Sequence, residues 1–285
     1  MNKSIRNRII DEAFKWFGIA CTLFGLVMLA IFLFGIIRDG AARIDWDFLT
    51  SFTSRRAGKA GVYPAILGTL WMLGLTLIIA IPIGIAAGIY LEEYGKRNRL
   101  ASIIEVNIAN LAGVPSVIYG LLGLEIFCRI LGMGSSILAG ACTLSLLILP
   151  VIIVSTREAL KAVPNSLREA SFGLGASKWQ TIWYQVLPAS AGGIVTGVIL
   201  ALSRAIGETA PLIVVGAATF ITNAPASPMD KYTVLPIQIF NWISRPEKDF
   251  LINGAAGILV LLSITFIMNG FALYLRNKWQ KRVKW

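Results

Sequence analysis

The chain is 285 residues long, 56% hydrophobic and only 14% charged, with a mean hydropathy of +0.73, well short of the roughly 25% charged content of soluble domains. Lipid is the natural solvent for such a surface, and little polar sequence remains for a separate soluble domain. The net charge of +11 comes from basic residues that flank apolar runs instead of clustering with aromatics, which argues against a nucleic-acid partner; the lack of histidine, with Cys21, Cys128 and Cys142 all inside apolar runs, leaves zinc, haem and histidine-based catalysis without residues.

Apolar windows of about 19 residues predict six membrane spans, at 16–37, 66–91, 103–130, 137–154, 192–218 and 255–275. The first follows Lys3, Arg6, Arg8 and Lys15, as a secretory signal would, but it runs too long and lacks a small-residue cleavage site, so it is expected to be retained. Pro82, Pro115, Pro150 and Pro211 interrupt spans two to five. Each removes a backbone donor and either kinks a packed helix or marks a gate. Gly84 with Gly88, and Gly193 with Gly197, have the small-xxx-small spacing that lets helices approach closely, which puts spans two and five inside the bundle.

Sixteen of the 26 Lys and Arg lie before span one, after spans two and four, and after span six. Nine lie on the other side, five of them in the first loop beside Asp39, Asp45 and Asp47. The positive-inside bias therefore predicts both termini in the cytosol.

The connection 155–187 is polar without being floppy. Asn165 or Ser166 can cap a helix, Leu167, Ala170 and Leu174 recur at helical spacing, Gly173 and Gly175 can end it, and Ser177 can cap another. Two short amphipathic helices around a glycine turn could plug a groove on a partner. They could equally lie on the lipid surface, anchored by Trp179, Trp183 and Tyr184.

Within this connection Glu169-Ala170-Ser171, then Gly175, then Leu187-Pro188 resemble the EAA loop of ABC-importer permeases, with Ser171 where Ala is usual and Gln185 at a usually aliphatic position. The resemblance implies that Glu169, Ala170, Gly175, Leu187 and Pro188 couple the chain to an ATPase. The stretch from Gly197 to Leu212, with GETAPL at 207–212, and Val114-Pro-Ser-Val-Ile-Tyr-Gly120 are similar to the phosphate-specific, PstA-type permeases. That likeness implies an all-α, six-helix type I importer bundle in a bacterial inner membrane. It also implies a PstC-type permease partner, a PstB-type ATPase dimer holding ATP and Mg, and a PstS-type extracytoplasmic phosphate-binding protein. The chain itself has no GxxxxGK[ST] loop and no GxGxxG fingerprint, so it is expected to carry no cofactor and to leave hydrolysis to its partners.

Arg204 and Glu208 fall about halfway through the fifth span, where a charge facing lipid costs at least ~2.5–3.5 kcal/mol. They are one helical turn apart, so they either neutralise each other as a structural pair or present Arg204 to an anion with Glu208 orienting it and Thr209 adding a hydroxyl. Glu125 and Arg129 form a second such pair, read as structural, and Glu105 is expected to reach the interface or to pair with a nearby Lys or Arg. No nucleophile, base and orienter can be assembled, which disfavours a membrane enzyme. The remaining alternatives are a permease for sulfate or molybdate and a passive anion channel.

Overall fold

The computed structural model describes residues 3–95, 99–218, 221 and 223–280. Lys96, Arg97, Lys281, Arg282 and Lys284, which contribute to the charge count above, lie outside the described residues. Apolar sequence that cannot hydrogen-bond to lipid must satisfy its backbone internally, and here it does so as helix: the chain is an all-α membrane protein, with no strand among the described residues.

In chain order the helices are α1 (Lys3–Gly40), a short α2 (Trp46–Thr50) and α3 (Tyr63–Ile89), which ends in a π turn at Tyr90–Tyr94. Then come α4 (Arg99–Leu111), α5 (Ser116–Gly123) with a π turn at Leu124–Ile130, α6 (Ile137–Lys161) and α7 (Asn165–Gly173). The rest are α8 (Lys178–Thr181), which continues through a π turn at Ile182–Val186 into α9 (Leu187–Gly207), then α10 (Ala210–Val215), α11 (Leu235–Ile243) and α12 (Asp249–Gln280). Five stretches are long and apolar enough to cross a membrane unbroken, and α4 with α5 makes a sixth that is bent by 109°.

Two of the expected spans, the third and the fifth, are broken differently from the sequence reading. The span expected at 103–130 is not one helix, because Pro115 cannot continue α4 and instead stands as the N-cap of α5. The span expected at 192–218 begins at Lys178 and stops at Gly207, since Pro211 sits in the first turn of a new helix. Consequently the connection 155–187 contains one free amphipathic helix, α7, while the second is the opening turn of span five. Pro82 and Pro150, by contrast, lie inside continuous helices.

α6 is the axis of the bundle, with Leu144, Ile148, Ile152 and Leu160 all buried. Gly84 and Gly88 of α3 lie against Ile152 and Thr156, while Gly193 and Gly197 of α9 lie against Ala159 and Ser155. Positions three apart on a helix are only about 60° around its axis, so both glycine pairs clasp neighbouring faces of α6. On the side opposite α7, Arg43 donates to Asn253 Oδ1 (3.0 Å), Asp45 Oδ1 (3.1 Å) and the carbonyls of Gly58 and Ala60 (3.2 and 3.1 Å). Arg38 meets Asp39 at 2.9 Å, so two of the five basic residues in the first loop are committed to local pairs.

A valine Cβ at position 197 would fall 1.9 Å from Ser155 Oγ, whereas nothing lies within 4 Å of the same atom at Gly25. Gly197→Val is expected to cost about 1–3 kcal/mol through overpacking and to lower membrane abundance several-fold on immunoblots. Gly25→Ala should leave abundance unchanged.

Candidate functional site

Arg204 occupies the last turn of α9, and Glu208, extended at φ −76° and ψ 114°, ends that helix. Arg204 Nε donates to Glu208 Oε1 at 3.2 Å, and Thr209 Oγ1 donates to the carbonyl of Gly207 at 3.3 Å, returning a bond to backbone freed by the break. The two side chains are 42% and 18% exposed, so the pair opens to the surface of this chain instead of being sealed in its core. Among the described residues no acceptor meets either Nη of Arg204.

Depth follows from the neighbours. Ala201, Leu202, Ala205 and Ile206 pack with Leu73 and Leu147, each ten residues from the end of its own helix. Ten residues rise about 15 Å, half of a hydrocarbon core about 30 Å thick. Arg204 is thus near the membrane midplane, but the helix expected to carry it onward is interrupted there.

The other interrupted span meets it. Tyr119 and Val114 belong to the same cluster as Ala205 and Ile206, and Tyr119 Oη donates across the break to the carbonyl of Leu111 at 2.7 Å. A Cβ on Gly120 would stand 2.8 Å from Pro211 Cα, so α5 and α10, the helices that follow the two breaks, are in backbone contact. Sequence reading flagged Pro115 and Pro211 separately; only the fold shows that their breaks adjoin. Non-helical backbone at this depth persists where protein buries it or where it lines a watered cavity. A half-exposed guanidinium with two unused donor groups can bind and release an oxyanion there.

The second region is the α7 end of the bundle. α7 starts after Pro164 without a side-chain cap, and Asn165 Oδ1 accepts from Arg168 at 3.4 Å instead of capping. Gly175 adopts φ +84°, and Ser177 with Gln180 forms a reciprocal capping box. Ser171, the departure from the usual alanine, has a use: its hydroxyl lies 2.8 Å from Thr181 Oγ1 and ties α7 to α8. Leu167, Ala170, Ser171, Leu174, Gly175 and Tyr184 line an open groove of about 550 Å³. Glu169 is exposed on α7, and Leu174 is 90% exposed. Leu187 does not line the groove; it packs beneath α7 with Leu160, Val163 and Leu167, while Pro188 opens α9 on an exposed face.

Arg168 escaped the sequence reading. It is buried, donates to Glu93 Oε1 at 2.9 Å and to the carbonyls of Leu160 and Val163 at 2.9 and 2.7 Å, and so roots α7 in the membrane bundle. The available signal was the Glu92-Glu93 pair directly after an apolar run, since buried acids require partners. Glu105 meets Arg157, the second of its two expected outcomes, and Glu125 meets Arg129 at 2.8 Å.

Residues 80–281 match the model of a family described as binding-protein-dependent transport system inner membrane component. The chain belongs to this family. It is similar to the probable ABC transporter permease protein YqgI of Bacillus subtilis, 29% identical over 93% of this chain and 94% of that one. It is also similar to the phosphate transport system permease protein PstA of Xylella fastidiosa, at 32% identity over 96% of this chain and 95% of the relative. Among solved structures, a bacterial alginate ABC transporter in complex with an alginate pentasaccharide-bound periplasmic protein matches with a TM-score of 0.67 at 17% identity, covering 97% of this chain and 96% of that one; this likeness concerns the fold alone. The protein is a multi-pass ABC-transporter permease with the type I importer architecture.

In this permease the turn after α7 depends on the left-handed backbone of Gly175. Open space surrounds a Cβ there, so strain alone decides the outcome, at about 1–2 kcal/mol for an ordinary side chain and less for asparagine. Gly175→Val should raise amide exchange across 172–177 several-fold by mass spectrometry, and Gly175→Asn should stay near the parent.

Proposed function

We propose that this permease is the PstA-type subunit of an ATP-driven phosphate importer in a bacterial inner membrane, with both termini in the cytosol. It pairs with a PstC-type permease, receives phosphate from a PstS-type binding protein on the face opposite α7, and docks α7 into a PstB-type ATPase dimer that holds ATP and Mg. The observation that carries this reading is Arg204 at the midplane break, with Glu208 on one side of its fork and two donor groups unused. That arrangement suits a tetrahedral oxyanion, and the named PstA relatives favour phosphate among such anions.

The fork of Arg204 donates to anion oxygens at any physiological pH. Glu208 lowers the local positive potential, so the anion is held weakly enough to leave, as conduction requires. Thr209 sits at the same break, and its hydroxyl can donate to the anion once it releases the carbonyl of Gly207. At the other end Glu169, Ala170 and Gly175 form the docking helix and its turn, while Leu187 and Pro188 support it from beneath. ATP-driven closure of the ATPase dimer moves α7, and the path opens alternately to the two faces.

Reconstituted with its partners, the complex should show phosphate-stimulated ATP hydrolysis and phosphate uptake; stronger competition by sulfate or molybdate than by phosphate would overturn the substrate. Arg204→Gln/Glu208→Gln should assemble, because neither charge is left unpaired, yet lose at least tenfold in uptake. Near-parent uptake by this double variant would reduce Arg204 to a structural role. Arg204→Lys should retain partial activity if its charge outweighs its planar fork.

Orientation has its own test. With native cysteines replaced, Ser227→Cys should react with an impermeant thiol reagent in intact cells and Leu174→Cys should be protected. The reverse pattern would move α7 away from any cytosolic ATPase.

A further inference from the structure

Between the midplane break and α7, polar groups recur where α9 meets α12. Ser203 Oγ lies 2.9 Å from Asn269 Oδ1 and 2.9 Å from the carbonyl of Ile199. Seven residues closer to α7 on each helix, Thr196 Oγ1 accepts from Arg276 Nη1 at 3.4 Å. Seven residues are two turns and about 10 Å, so the two pairs stand one above the other on a single seam. Asn269 has two amide N–H groups and Ser203 can accept from one of them, so among the described residues at least one is unused. Arg276 Nη2 reaches Asn277 Oδ1 at 3.4 Å, and its Nε is buried without a partner. Among the described residues no carboxylate meets Arg276. Neither 187–207 of α9 nor 255–280 of α12 contains Asp or Glu.

The seam borders the same surface that carries Arg204. Gly193, Leu200, Arg204 and Gly207 are the exposed strip of α9, and Thr196 and Ser203, both half-buried, run along its α12 edge. Thr196 is eight residues from Arg204, about 12 Å toward α7, which is most of the way from the midplane to the edge of a hydrocarbon core about 30 Å thick. A cation at that depth ordinarily extends outward and keeps its head in water. Arg276 instead donates to a hydroxyl on the neighbouring helix and has no counter-ion there.

We propose that Arg276 with Thr196, and Asn269 with Ser203, form a second oxyanion station between the midplane and the α7 end, which takes the anion that Arg204 releases. This rests on the reading of Arg204 as the anion contact given above. Both pairs supply N–H donors, and no acid of α9 or α12 stands beside them to repel the anion. Depth explains why the two arginines differ. At the midplane a bare guanidinium in a low dielectric would trap an anion, and Glu208 weakens its hold. Near the membrane edge water screens the charge, so Arg276 holds an anion weakly without an acid. Asn269, level with Ser203, receives the anion one residue from Arg204, and Arg276 lies two turns further on. An anchor at the headgroups would leave its Nε in water, whereas Arg276 Nε is buried.

The complex reconstituted with its partners in liposomes, with inorganic phosphate as the probe, tests the station. Arg276→Gln should lower the maximal uptake rate about tenfold, the scale of one charge-assisted hydrogen bond, with KM unchanged because Arg204 and the entry face are intact. Phosphate added on the α7 side should slow uptake by the parent by occupying the station, and Arg276→Gln should need about tenfold more phosphate for the same inhibition. Arg276→Lys should recover part of both losses. Asn269→Leu should also slow uptake and weaken the inhibition, with thermal stability at the parent level because Ser203 keeps its bond to Ile199. Parent-level rate and inhibition in Arg276→Gln would overturn the station, as would a parent that phosphate on the α7 side does not inhibit. Should Arg276→Gln fail to assemble, parent-level rate and inhibition in Asn269→Leu would overturn it. Absence of phosphate uptake by the parent would overturn the reading of the permease and the station with it, whereas uptake that is lost in Arg204→Gln/Glu208→Gln but untouched in Arg276→Gln and Asn269→Leu would overturn the station alone.

Discussion

Hydrocarbon offers no hydrogen bonds, so every polar backbone group at membrane depth must be satisfied by the protein or by water it admits. Most of this chain obeys by being continuous helix. Among the described residues two breaks, 112–115 and 208–209, interrupt apolar spans, and the helices that follow them touch through Gly120 and Pro211. Their freed carbonyls find Tyr119 and Thr209 as donors. Bringing the breaks together concentrates the expense of irregular backbone in one polar spot, and Arg204 and Glu208 stand there.

Packing elsewhere frees the breaks from structural duty. The glycine pairs of α3 and α9 hold α6 at backbone range, which fixes three spans without any charged group. Ionic contacts appear instead where helices leave the membrane. Arg43 gathers α2, α12 and the intervening loop on one face, and Arg168 and Arg157 gather α3, α4, α6 and α7 on the other. Both kinds of glue are local, so the two ends of the bundle are separately tied and communicate through the helices between them.

Hydropathy made the number and order of the apolar runs legible, because a membrane imposes length and composition at once. The EAA-like residues and GETAPL were legible because they are contiguous in sequence. What was not legible depended on three-dimensional neighbours. Pro115 and Pro150 look alike as residues in apolar runs, yet one starts a helix and the other is absorbed by packing on α6. Arg168 reads as an ordinary surface cation of an amphipathic helix until Glu93, 75 positions earlier, is brought beneath it. Ser171 read as a small departure from a motif until Thr181 arrived opposite.

α1 is the outlier. From 10 to 34 it is almost wholly exposed, and its close contact is at the far end, where Gly40 meets the backbone of Ala255 and Ala256 in α12. α1 is therefore fixed in place by a helix that is made long after it. Roughly 215 residues separate those contacts, which at about 5–20 residues per second leaves α1 on the order of 10–40 s without its α12 contact. For that interval the backbone contact at Gly40 is missing, and α1 stays in the bilayer by its own hydropathy.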